Sequence, residues 1–399
     1  MIVRKKELSA IFASFLLAGT VLTGCSTSEK QGSESKVEKQ QEPTENKEET
    51  KNESEVKEVN YAQVFEEATT ELAKAKEGKE VDYDKVTELY KTNLQGLVQD
   101  RDAEFEDKLD QHITTALQAG KEGTLDKVVV KQLFDKLMQK VFYTTIKHDF
   151  TEINEKWGNK EEVTKEIEEA KGYYAILQST VEKRDNANGT NLVDVIAGGF
   201  EEIEKAIEAE NQLGFSLGKQ VVDKSLMKTF YLATGAIPNG YATKAAEAAK
   251  QDKELAKVEQ AEGWAFYQSL FSYLNGHAAE EAAFIQQQFD LQTDIAKLNP
   301  DAVNKAFIRG FSKIALDEYK ESEETWGEDK SPITALEGAL FIDIIGEDIK
   351  GLIGEAEYSN LTEKAQQYLE AAKAKDKTAG EPLLKELQAT LQTVIEKAK

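Results

Sequence analysis

One cysteine, five prolines, three methionines and three histidines in 399 residues leave several chemistries without materials. With Cys25 alone, the chain has no intramolecular disulfide, no CxxC redox pair, no c-type haem attachment and no thiolate zinc cage. Five prolines are too few to punctuate a strand-rich fold, and abundant Ala, Glu, Lys, Gln and Leu favour helices. The expected fold class is all-α, with enough apolar residues, 40%, to bury a sizeable core. Positive charge is in deficit as well. Fifty Lys and Arg against 74 Asp and Glu give a net charge of −24, which repels nucleic acid and anionic surfaces, so no nucleic-acid partner is expected. The P-loop pattern and the HExxH zinc motif are missing, and neither a cofactor nor an enzymatic activity is expected.

What is present begins with "MIVRKKELSAIFASFLLAGTVLTGC": a basic start (Arg4, Lys5, Lys6), an apolar run too short for a comfortable transmembrane helix, then Leu22, Thr23, Gly24 and Cys25. These 25 residues resemble a bacterial lipoprotein signal with its lipobox. The resemblance implies cleavage of residues 1–24 and diacylation of Cys25. It also implies a location on the outer face of a cell membrane, since two acyl chains hold stably where one does not. Residues 26–59, "STSEKQGSESKVEKQQEPTENKEETKNESEVKEV", are dense in Glu, Lys, Ser and Gln and too apolar-poor to offset the entropy of folding. Together with Cys25 they read as a disordered tether, spanning roughly 30 Å root-mean-square.

The rest repeats itself. "KQLFDKLMQKVFY" at 131–143 and "KQVVDKSLMKTFY" at 219–231 share Lys, Gln, Asp, Lys, Lys, Phe and Tyr at like positions, and "VNKAFIRGFSK" keeps Lys305, Arg309 and Phe311. Val130, Phe134, Met138 and Val141, and then Val222, Leu226 and Phe230, fall at helical spacing. A preceding helix repeats too: "YKTNLQGLVQDRD" at 90–102 matches "YYAILQSTVEKRD" at 173–185, and "EAKGYYAIL", "EGWAFYQSL" and "EGALFIDII" align Glu169, Glu262 and Glu337. These matches predict an internally repeated helical bundle of about four units with roughly three helices each. The units pair into two pseudo-equivalent lobes, residues 60–234 and 245–399, joined at Pro238-Asn239-Gly240.

The repeated polar residues carry two readings. In one, they are ion pairs that fix the register between helices; Lys131 with Asp135 and Lys219 with Asp223 are spaced i, i+4, while Arg101-Asp102 and Arg184-Asp185 end their helices. In the other, Glu169, Glu262 or Glu337, each beside a small residue, faces a cavity with Lys136 and Lys224, and Tyr267 belongs to an aromatic wall. His277 and Glu280, three residues apart, offer two candidate metal ligands if one helix carries both. Two functions follow as expectations. One is a membrane-anchored, non-enzymatic binding body that meets a surface protein or a ligand; the other is a capture lipoprotein that supplies a metal ion or small solute to a transporter.

Overall fold

The computed structural model describes residues 59–399. The signal segment, Cys25 and the tether through residue 58 lie outside the described residues. Among the described residues every regular element is helical and there is no strand, as the composition predicts. The helices are α1 (Tyr61–Ala73), α2 (Tyr83–Leu89), α3 (Gln95–Phe105), α4 (Leu109–Lys121), α5 (Lys127–Glu155), α6 (Lys160–Asn188), α7 (Leu192–Glu208) and α8 (Gln212–Thr234). They continue as α9 (Tyr241–Ala248), α10 (Lys253–His277), α11 (Ala279–Phe289), α12 (Pro300–Glu324), α13 (Lys330–Ile344), α14 (Gly346–Ile353), α15 (Glu355–Lys373) and α16 (Lys377–Lys397). None of them is long and apolar enough to cross a membrane.

Local chemistry sets the helix ends. Asp126 accepts from the backbone N–H groups of Val128 and Val129 to start α5, and Asn299 caps α12 just ahead of Pro300. The repeated Trp-Gly pairs stop the helices that precede them. Gly158 (φ 98°) and Gly327 (φ 93°) take a backbone conformation closed to most side chains. Each preceding indole then folds inward, Trp157 onto Phe215 at 5.4 Å and Trp326 onto Tyr368 at 5.7 Å between ring centroids. The stretch at 90–102, expected as one helix, instead starts in a wide π-helical turn, Tyr90–Leu94, between α2 and α3.

The two long stretches that share thirteen-residue patterns become α5 and α8, and both are buried on nearly every side. Helix α5 packs between α4, α6 and α10, and α8 packs between α7, α10 and α13. One apolar core therefore runs through residues of both expected lobes. The turn after α8 is pinned: Asn239 Nδ2 donates to the Ala187 carbonyl at 2.8 Å, and a Cβ on Gly240 would stand 2.7 Å from two carbonyl oxygens. Residues 235–240 thus join two stretches of one packed body.

Candidate functional site

Buried charge is the first feature that the sequence singled out. On α5, Asp135 accepts from Lys131 (2.6 Å), Lys136 (2.9 Å) and Gln139 (2.8 Å), and the Lys136 ammonium stands 5.1 Å from the Phe266 ring centroid. On α8, Asp223 accepts from Lys224 at 2.7 Å and from the Tyr143 hydroxyl at 2.6 Å, and Lys224 lies 3.1 Å from Glu337 and 5.2 Å from the Phe341 centroid. The two lysines have like surroundings. Burial alone would raise both aspartates; Lys136 and Lys131 outweigh it at Asp135, Lys224 and Lys147 at Asp223, and both carboxyls stay far below the usual range. Burial would likewise lower Lys224, but Asp223 and Glu337 hold its ammonium well above the ordinary value.

The expected residues do not converge on one cavity. Glu262 is buried and accepts from Gln132 Nε2 and from the Tyr241 hydroxyl, one donor for each carboxylate oxygen. Glu337 pairs with Lys224, while Glu169 sits half-buried on α6, 2.9 Å from Lys165. Tyr267 belongs to the core: its ring packs on Phe271 and Phe307, and its hydroxyl donates to the Ala282 carbonyl at 2.8 Å. His277 and Glu280 need correction. Helix α10 ends at His277, Ala278 leaves helical geometry (φ −143°, ψ 62°), and Glu280 begins another helix, so no single helix face presents both. His277 instead stacks on Tyr273, with Nδ1 3.4 Å from Asp317 Oδ2.

Two repeated motifs act differently from the ion pairs expected of them. Asp102 accepts from the backbone N–H groups of Leu109 and Asp110, and Asp185 from those of Leu192 and Val193, each capping the first turn of the next helix. Arg101 pairs within its own helix with Glu104, and Arg184 makes no ion pair among the described residues, lying over the Tyr241 ring. Lys131 pairs with Asp135 as expected; Lys219 instead lies over Phe215, 5.9 Å from its centroid. Gly214-Phe215-Ser216-Leu217-Gly218 has the GxSxG spacing of a nucleophile elbow, yet it runs through the first turns of α8 with Ser216 buried. An elbow requires a strand-to-helix turn that exposes the serine.

An open cleft was not anticipated. About 680 Å³ in volume, it lies between α12, α14 and the turn after α8, with Ile237, Asn304, Lys305, Arg309 and Asp348 on its walls. Asp348 accepts from Tyr231 and, at 2.9 Å, from Asn304 Nδ2; burial drives its carboxyl above the ordinary value. Arg309 is tied to Glu281 and to the Ala398 carbonyl. Lys305, half-buried, has no hydrogen bond or ion pair among the described residues. The sequence held one signal of this. Where Asp135 precedes Lys136 and Asp223 precedes Lys224, the third stretch has Asn304 before Lys305, so that the preceding residue supplies no carboxylate.

Comparison with known protein families, curated proteins and solved structures gives no match.

Proposed function

We propose that this chain is a membrane-anchored, extracytoplasmic, non-enzymatic binding lipoprotein whose helical body takes a small anionic solute in the cleft beside α12. The single observation behind the binding role is Lys305. Its counterparts Lys136 and Lys224 are buried against aspartate and aromatic rings, whereas Lys305 stands unpaired on a cleft wall. A cleft of about 680 Å³ falls within the range of small-molecule sites, and Ile237, Phe284 and Ile308 offer apolar contact beside the cation. The likeness of the α5 and α8 charge clusters supports the repeated architecture, and the lipobox-like ending at Cys25 supports the anchor.

Thermal-shift screening of the full-length chain against amino acids, dicarboxylates and phosphate esters tests the binding reading. A saturable rise in melting temperature is expected with one of these classes, lost in Lys305→Ala and kept in Lys305→Arg. No response to any class, or a response that Lys305→Ala leaves intact, overturns it. The anchor has its own test: Cys25→Ala releases the protein from carbonate-washed membranes, and continued retention refutes lipidation at that residue.

A further inference from the structure

Asp149 near the end of α5 is 2% exposed, yet its Oδ2 has no hydrogen-bond partner, and no lysine or arginine pairs with the side chain. It does not sit among apolar groups alone. One carboxylate oxygen each from Asp149, Glu166 and Glu169 lies within 4.8 Å of the other two. Burial, then the neighbouring Glu166 and Glu169, push the Asp149 carboxyl up to about 8. Three carboxylates this close, one of them with a buried, unpartnered oxygen, repel one another unless a proton or a cation joins them.

The lysines nearby hold the rim. Lys156 pairs with Glu166 at 2.9 Å and with Glu152, and Lys165 pairs with Glu169. Arg101 acts on Asp149 electrostatically while its Nη2 pairs with Glu104, and it makes neither a hydrogen bond nor an ion pair to Asp149.

The other half of the body supplies an internal comparison. In the repeat register Glu318 corresponds to Asp149, Glu337 to Glu169 and Thr334 to Glu166. There a side chain already supplies the charge: Lys224 stands 3.1 Å from Glu337, and Tyr273 donates to Glu318 at 3.0 Å. The first half has one more carboxylate, and its lysines, Lys156 and Lys165, pair with the two glutamates and not with Asp149.

We propose that Asp149, Glu166 and Glu169 form a binding site for a hard divalent cation, Ca²⁺ or Mn²⁺. All-carboxylate donors suit hard ions, and oxygens within 4.8 Å of one another fit a shared cation with metal–oxygen distances of about 2.4 Å, the second oxygens and water completing the shell. The site is separate from the cleft and does not depend on it. It gives the acidic body a specific use for cations beyond counterion screening.

The test is calorimetric titration of EDTA-stripped, full-length chain with CaCl₂ and MnCl₂. One saturable site per chain is expected, with affinity lower by about tenfold or more in Asp149→Asn and in Glu169→Gln, and unchanged in Glu318→Gln. Glu169 is half-buried, so its variant keeps the test open should Asp149→Asn fail to fold, which circular dichroism reports. Tb³⁺ emission sensitised by Tyr61 and Tyr173, both of which feel the charge of Glu169, reads the same site independently. No saturable heat with either cation, many weak equivalent sites, or affinity unchanged in both variants overturns the proposal.

Discussion

Tyr143 on α5 donates its hydroxyl to Asp223 on α8 at 2.6 Å, and Asp223 is also the carboxylate that neutralises the buried Lys224. A residue of one thirteen-letter stretch thus completes the ion pair of the other. Asn304 meets Tyr231 with the direction reversed, its Nδ2 donating to the hydroxyl oxygen at 3.0 Å while that hydroxyl donates to Asp348. Helices α5, α8 and α12 are linked in series by these contacts.

Removing Asp223 leaves Lys224 buried beside Glu337 alone, and Asp223→Ala is expected to cost about 3–5 kcal/mol. Tyr143→Phe loses only one hydrogen bond to a charged group, about 1.5–3 kcal/mol. The two act on one network, so the double variant costs less than the sum. Urea denaturation at pH 7 reads all three. Strictly additive losses would mean that the tyrosine and the aspartate act independently.

Glu262 is expected to be structural. Glu262→Ala strands Gln132 Nε2 and the Tyr241 hydroxyl without acceptors in the core, at about 2–4 kcal/mol. Glu262→Gln keeps one carbonyl acceptor and the same volume, and the loss should be less than half as large. Equal stability of both variants and the parent would show that these two hydrogen bonds do not hold the core.

Helix propensity and packing pull Gly263 in opposite directions. Alanine is the better helix former by about 1 kcal/mol, but a Cβ there would stand 2.2 Å from the buried Phe289 ring. Gly263→Ala is therefore expected to destabilise by about 1–3 kcal/mol. A melting temperature at or above the parent's would show that the ring moves aside freely.

Glu318 provides a pH signature. Burial, then the charge of Glu337, raises its carboxyl above the ordinary value of 4.5. The folded state holds that proton to higher pH than the unfolded chain, so this residue adds no penalty below about pH 4.5, one that grows as pH climbs toward the folded-state value, and a constant one above it. Glu318→Gln, which retains an acceptor for Tyr273, should gain stability over the parent at pH 8 and little at pH 4. Denaturation midpoints at the two pH values report the difference. A gain that is the same at both would place the effect outside ionisation.

The sequence made helical faces legible because periodicity encodes which side of a helix is apolar. It also exposed Lys131 with Asp135, which pair along one turn, and the small residues after the aligned glutamates, one of which, Gly263, lies against a ring. Partners across the body were not legible. Gln132 and Glu262 meet 130 positions apart, and nothing in helical spacing announces which helix will cross which. Asp102 and Asp185 looked like members of ion pairs because their arginine neighbours drew attention, whereas their work is on backbone N–H groups of the following helix. The helices of His277 and Glu280 part at one residue, Ala278, whose ordinary identity hides the break. The cleft could be seen only as one substitution, aspartate to asparagine, in a degraded copy.

Helix α10 crosses both α5 and α8, although it is made long after α5. A chain that emerges from its N-terminus first cannot finish its early half, because the face of α5 bearing Gln132 and Lys136 waits for Glu262 and Phe266 to arrive. During that interval a long apolar helix and its polar partners are open to the wrong neighbours. The crossing therefore fixes an order of assembly: a helix made early is among the last to be sealed.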